Sequence, residues 1–208
     1  MNIKRILDVL LLPKTLYQKI TDKRPSLFLG IILVGIMDMA FILTYNDSYR
    51  KFFWAKSQST LYFNITFTAC AALILGLVDI LFFSLPLFDL FKFFKKEGES
   101  RDSGATLIKV MKIYILANFL ILPANILSIV AEKTPGVAAN TALIGILAFL
   151  YIVVNVWLCA AVTRGINSIY NFQLFYRRMV FLFVYLWNFL LGSAFQYIIL
   201  HWVLALYK

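Results

Sequence analysis

The chain of 208 residues carries a formal charge of +10, and 62% of it is hydrophobic while only 14% is charged. Soluble domains run at about 45–50% apolar and about 25% charged, so this chain has too few polar side chains to cover a water-facing surface. A soluble domain is excluded and a polytopic membrane protein is implied. The positive balance fits cations gathered beside membrane spans, and nucleic-acid binding is not expected.

Residues 1–24 set Lys4, Arg5, Lys14, Lys19, Lys23 and Arg24 among Ile3, Ile6, Leu7, Leu10, Leu11, Leu16, Tyr17 and Ile20. The apolar positions recur at three- and four-residue steps, which predicts an amphipathic segment lying in the membrane interface. Pro13 divides it into two short helices and starts the second. A secretory signal is rejected because the apolar run Ile6–Leu12 is short, contains Asp8 and lacks a small-residue cleavage site.

Five apolar runs follow, each offering roughly the 20 residues that a span needs. They predict one all-α domain over residues 1–208, a helical bundle with spans at about 26–46, 61–83, 112–131, 138–162 and 179–205. Pro86 is expected to close the second crossing and to start an in-plane segment of phenylalanines and lysines ending at Lys96. Residues 95–104 read as a polar loop.

Five spans place residues 1–24, 89–112 and 164–178 on one side, and that side holds 15 of the 20 Lys and Arg residues. The positive-inside rule then predicts a cytoplasmic N-terminus and an external C-terminus, in a bacterial cytoplasmic membrane. Lys4, Arg5, Lys14, Lys92, Lys95, Lys96, Arg177 and Arg178 are the expected contacts with anionic lipid headgroups.

Two spans share a pattern, Gly35-Ile36-Met37-Asp38 and Gly76-Leu77-Val78-Asp79. Each acid follows its glycine by three, so both should face into the bundle behind a small-residue packing stripe. An intramembrane carboxylate is costly and needs a partner, a proton or water. Two readings stay open, a structural carboxylate and a member of an ion, proton or ligand pathway. Counting residues from each span's middle puts Asp38 about 4 Å toward the outside and Asp79 about 10 Å toward the cytoplasm. The two should then be more than about 10 Å apart, with Asp79 in reach of Lys109 or Lys112.

Asn118 and Asn125 lie on one face of the third span around Pro123, where an amide can satisfy the carbonyl freed near Phe119. Asn155, Asn188 and His201 read as interhelical hydrogen bonds or members of a polar intramembrane site. Cys70 and Cys159 fall inside apolar runs and read as packing residues. The single histidine and the cysteine spacing disfavour zinc. Neither a phosphate-binding loop nor a nucleophile–base arrangement is present, so no enzyme and no cofactor are expected.

The stretches 9–29 (a proline, an aromatic and an amphipathic turn before the first span), Ser103–Tyr114 with Pro123, and Asn155–Leu158 through Thr163–Ile166 resemble the Yip1 family of membrane proteins. That resemblance implies five spans, a cytoplasmic N-terminus and a part in membrane organisation or trafficking through lipid or protein contacts, a homo-oligomer included. The chain lacks the long polar N-terminal region of the family's eukaryotic trafficking members, which argues against a GTPase-linked role. The competing reading is a small transporter or channel component that uses Asp38 and Asp79.

Overall fold

The computed structural model describes residues 3–45, 58–94, 103–134, 140–170, 172–198 and 201. Seven helices occupy them: α1 Ile3–Leu10, α2 Lys14–Gln18, α3 Arg24–Tyr45, α4 Gln58–Phe93, α5 Ser103–Lys133, α6 Thr141–Ile169 and α7 Leu174–Ile198. Helices α3 to α7 are each long and apolar enough to cross a membrane. The protein is an all-α integral membrane bundle of five spans.

Successive spans run in opposite directions. Gly35 lies against the backbone of Ala72, and Gly76 lies against that of Ile31, so α3 and α4 cross antiparallel. Ile113 meets Gly165 between α5 and α6, and Asn155 meets Asn188 between α6 and α7. Helix α5 is the central element, packed on α3, α4 and α6. Its face of Val110, Ile113, Tyr114, Ala117 and Ile121 is buried. Lipid supplies no hydrophobic drive between helices, so close packing and interhelical hydrogen bonds hold such a bundle together. The stack of Phe83 on Tyr114, with ring centroids 3.8 Å apart, is one such contact between α4 and α5.

Helix α4 corrects the sequence reading. A break near Pro86 was expected, but one helix of 36 residues runs through it. Proline removes the N–H that would bond the carbonyl four residues earlier, here that of Phe82. The indole N–H of Trp187 on α7 donates to that carbonyl instead, at 3.1 Å. Beyond the proline, Leu87, Phe88 and Phe91 are buried, and Phe91 packs on Tyr170 and Phe172 at 6.2 and 5.7 Å between ring centroids. As far as Phe93, the segment expected in the membrane plane is thus a continuation of α4 with one face buried. Among the described residues α5 also starts earlier than expected, at Ser103, and takes up the end of the predicted polar loop.

The N-terminal segment is a strap across the end of the bundle where α3, α5 and α7 begin. Leu12 has a left-handed φ of 61° and turns the chain between α1 and α2. A helix leaves its last carbonyls without intrahelical partners. Here the Leu10 carbonyl accepts from the Trp157 indole on α6, and the Leu11 carbonyl accepts from the Tyr17 hydroxyl at 3.0 Å. Tyr17 is fully buried against Gly165, where any larger residue would collide with its ring. Arg164 pairs with Asp8. Lys112 donates to the carbonyls of Thr21 and Lys23, at 2.5 and 2.8 Å, and Lys109 lies 3.6 Å from Asp22. Leu11, Leu12 and Ile20 pack on the core, whereas Leu7, Val9 and Leu16 are exposed. The segment is amphipathic as the periodicity requires, and polar contacts to α5 and α6 seat it on the bundle.

Candidate functional site

The site is built on the α3–α4 crossing. With no side chain at Gly35 or Gly76, the two backbones touch, and a Cβ at either would strike the other helix. Asp38 and Asp79 each stand one turn beyond the crossing, on opposite sides of it. Side chains lean toward the N-terminus of their helix, so in antiparallel helices both acids lean back toward the crossing. Both acids thus flank the one crossing, from opposite sides. The depth count set the two glycine motifs at unlike levels. The crossing sets them at one level, because close glycine packing fixes the register of α3 on α4.

Tyr114 holds Asp79 directly. Its single hydroxyl proton is shared between the two carboxylate oxygens, at 3.1 and 3.0 Å. The expected lysines are elsewhere. Lys112 serves the strap carbonyls and Lys109 faces Asp22. Among the described residues no basic side chain pairs with Asp38 or Asp79.

From Asp79 and Tyr114 a cavity of about 340 Å³ runs outward between α6 and α7. Tyr151, Asn155, Tyr185 and Asn188 form its polar wall, and Phe189 and Phe195 its apolar part. Asn188 donates to Asn155 at 3.3 Å, which joins α6 to α7. Asn155 itself donates back to the Tyr151 carbonyl at 2.9 Å. Beyond this pair the helices part. Side chains of α6 from 141 to 153 are exposed except the half-buried Leu147. Tyr151 and Phe189 at the rim are 69% and 64% exposed. The mouth therefore faces sideways, onto the apolar surface of the spans.

The remaining predicted residues fall apart from this cavity. Asn118 donates to the Tyr114 carbonyl of its own helix at 3.1 Å, and not to the carbonyl freed by Pro123. Asn125 is half-buried and does not line the cavity. His201 is exposed, bonds the Tyr197 carbonyl four residues back and stacks on that ring at 4.3 Å. Asp38 is half-buried and outside the cavity lining. Lys14, Arg177 and Arg178 are exposed, as is Lys92, which pairs with Asp89 at 2.9 Å and lies over the Phe88 ring. The side chains of Lys4 and Arg5, and the whole of Lys95 and Lys96, lie outside the described residues. Cys70 is exposed and Cys159 buried, both free thiols. Among the described residues no cluster of three or more His, Cys, Asp or Glu side chains is placed to hold a metal.

Sequence reasoning missed Tyr114, Tyr151 and Tyr185. Tyr114 had a signal, since it lies four residues before Asn118 and so shares a face with it in an otherwise apolar run. Tyr151 and Tyr185 had none beyond their polar hydroxyls, because only the splay of α6 from α7 brings them together.

Compared with known proteins, the chain matches no family model, no curated protein and no solved structure.

Proposed function

We propose that this chain is a non-enzymatic membrane protein that acts through lipid and protein contacts within the bilayer, in the manner of the Yip1 family it resembles. The observation that carries this reading is the reach of the cavity. It touches Asp79 and not Asp38, and it opens sideways. A permeation path joining the two acids would have to pass the Gly35–Gly76 crossing, where backbones are in contact. The strap supports the same reading. Its exposed Leu7, Val9 and Leu16 can enter lipid, while Lys14, Arg177 and Arg178 meet anionic headgroups. The charge bias supports a cytoplasmic strap, an external C-terminus and residence in a bacterial cytoplasmic membrane. The activity needs no cofactor, and a protein partner or a second copy can share the exposed apolar faces.

The transport reading draws on a different observation, two acids flanking one crossing with no basic partner among the described residues, because an uncompensated charge in a membrane commonly marks an ion or proton path. Flux decides between the two. Purified protein in sealed vesicles should move neither protons nor small cations above the level of empty vesicles, with Asp79→Asn indistinguishable from the parent. A parent-specific flux that Asp79→Asn abolishes in folded protein would overturn the first reading and establish the second.

A further inference from the structure

We propose that the cavity between α6 and α7 binds the ammonium group of an amphiphile that enters from the membrane, with Asp79 as counter-charge and tyrosine rings as its cage. The inference deepens the lipid-contact reading and rests on it.

Three features of the lining specify the ligand's chemistry. The first is charge. Asp79 is the one ionisable acid in the lining, and Lys, Arg and His are absent from it. An ionised carboxylate accepts at about four lone-pair positions, and here one shared phenol proton reaches it. Acceptor capacity is left over in a place where a lone charge is expensive. A ligand that brings a positive charge with N–H donors relieves both deficits. An anion would meet Asp79 without a compensating cation.

The second feature is aromatic. Tyr114, Tyr151, Tyr185, Phe189 and Phe195 border the same space. Ring faces attract ammonium groups, and more strongly where water is excluded. Aromatic residues beside a carboxylate form a cage for an organic cation, whereas a lone phosphate would meet Asp79 with no Lys, Arg or His in the lining to hold it.

The third is shape and depth. The α7 lining runs from Tyr185 to Phe195, about 15 Å of helix at 1.5 Å per residue. Its polar floor lies deep and its apolar part continues toward the exposed mouth. Tyr114 is two residues along α5 from Lys112, so the floor is about 3 Å of rise inward from the level of the strap. A headgroup at that depth can keep its chain in lipid, and a volume of about 340 Å³ falls within the roughly 300–1,000 Å³ range of small-molecule sites. Two sources share this chemistry, an amine-bearing lipid and a free hydrophobic amine.

Photolabelling tests the proposal on the full chain in nanodiscs of pure phosphatidylglycerol, a lipid without an amine. A photoactivatable dodecylamine should label the stretches around Tyr151 and Tyr185 in a saturable way. Phosphatidylethanolamine should compete if the natural source is a lipid, and phenethylamine if it is a free amine; competition by either supports the assignment. Dodecanol and dodecanoate should not compete. Asp79→Asn should weaken labelling about tenfold, equivalent to about 1.4 kcal/mol. Should that variant fail to fold, Tyr151→Leu at the exposed rim replaces it, with weakened labelling again expected. Equal competition by dodecanol, or unchanged affinity in a folded variant, overturns the proposal. Neither result bears on flux, so this inference and the reading beneath it can fail separately.

Discussion

Gly35 and Gly76 touch backbone to backbone, and that contact sets where both intramembrane acids stand. A methyl group at either glycine meets main-chain atoms of the other helix, which cannot swing aside as a side chain can. Gly76→Ala should therefore destabilise the bundle by about 1–3 kcal/mol, the range for overpacked interiors. Gly145 has nothing within 4 Å of an added Cβ, and Gly145→Ala should be neutral or stabilising by about 0.5–1 kcal/mol through helix propensity. Unfolding by denaturing detergent in mixed micelles measures both. Equal stabilities for the two variants would mean that the crossing is loose.

Trp187 and Pro86 should be energetically coupled. With Trp187→Phe the Phe82 carbonyl loses its donor, at a cost of about 1–3 kcal/mol for a polar group left unsatisfied where no water replaces the bond. In a Pro86→Ala background the helix supplies its own N–H, so the same change should cost less. A double-mutant cycle in the same unfolding assay reads the difference, and additive effects would show that the indole does not serve that carbonyl.

The spans were legible because twenty-residue apolar runs between charges have one physical use. The paired glycine-acid motifs were legible as inward-facing for the same kind of reason, a fixed helical spacing. Their placement about one common crossing was not, since residue counts give depth within one span and say nothing about where two helices cross. Pro86 misled because the rule for proline concerns one helix, while its rescue comes from Trp187, more than a hundred residues later. The strap was legible as amphipathic, but its seat was not: Arg164 and Lys112 read as positive-inside cations, and in the fold they hold Asp8 and the carbonyls of Thr21 and Lys23.

Topology gives a prediction independent of any ligand. Reporters fused after Lys96 and Arg164 should score cytoplasmic, and those after Arg50, Lys133 and Lys208 external. The five helices call for the alternation, and the charge bias predicts which side is cytoplasmic. A cytoplasmic score at Lys133 would break the count of spans.

The Asp8–Arg164 pair should control whether the strap stays down. Arg164 is largely buried and also neighbours Tyr17, so Asp8→Ala leaves a cation short of its partner. A charged hydrogen bond of this kind is worth about 1.5–3 kcal/mol. Thiol labelling of a cysteine introduced at half-buried Ile20, which packs on the core, should quicken in Asp8→Ala relative to the parent. Labelling at an unchanged rate would show that the pair does not hold the strap.

Alkaline pH should lift the strap through Tyr17. Burial pushes its phenol up from 10.0 to about 12, and the Arg164 guanidinium draws it back only in part. The folded protein favours the neutral phenol, so the stabilisation is complete below pH 10 and is lost as pH rises from 10 toward 12. The ionised form is poorly solvated against Gly165 and can no longer donate to the Leu11 carbonyl. Tyr17→Phe lacks that hydrogen bond and should be weaker by about 0.5–1.5 kcal/mol at neutral pH. It has no phenol to titrate, so its strap should not share this alkaline release, and lysine deprotonation affects both proteins alike. Strap accessibility followed across pH 9 to 12 should therefore show the parent losing its advantage over Tyr17→Phe. Two curves that stay parallel through that window would place the phenol in water and detach Tyr17 from the seat of the strap.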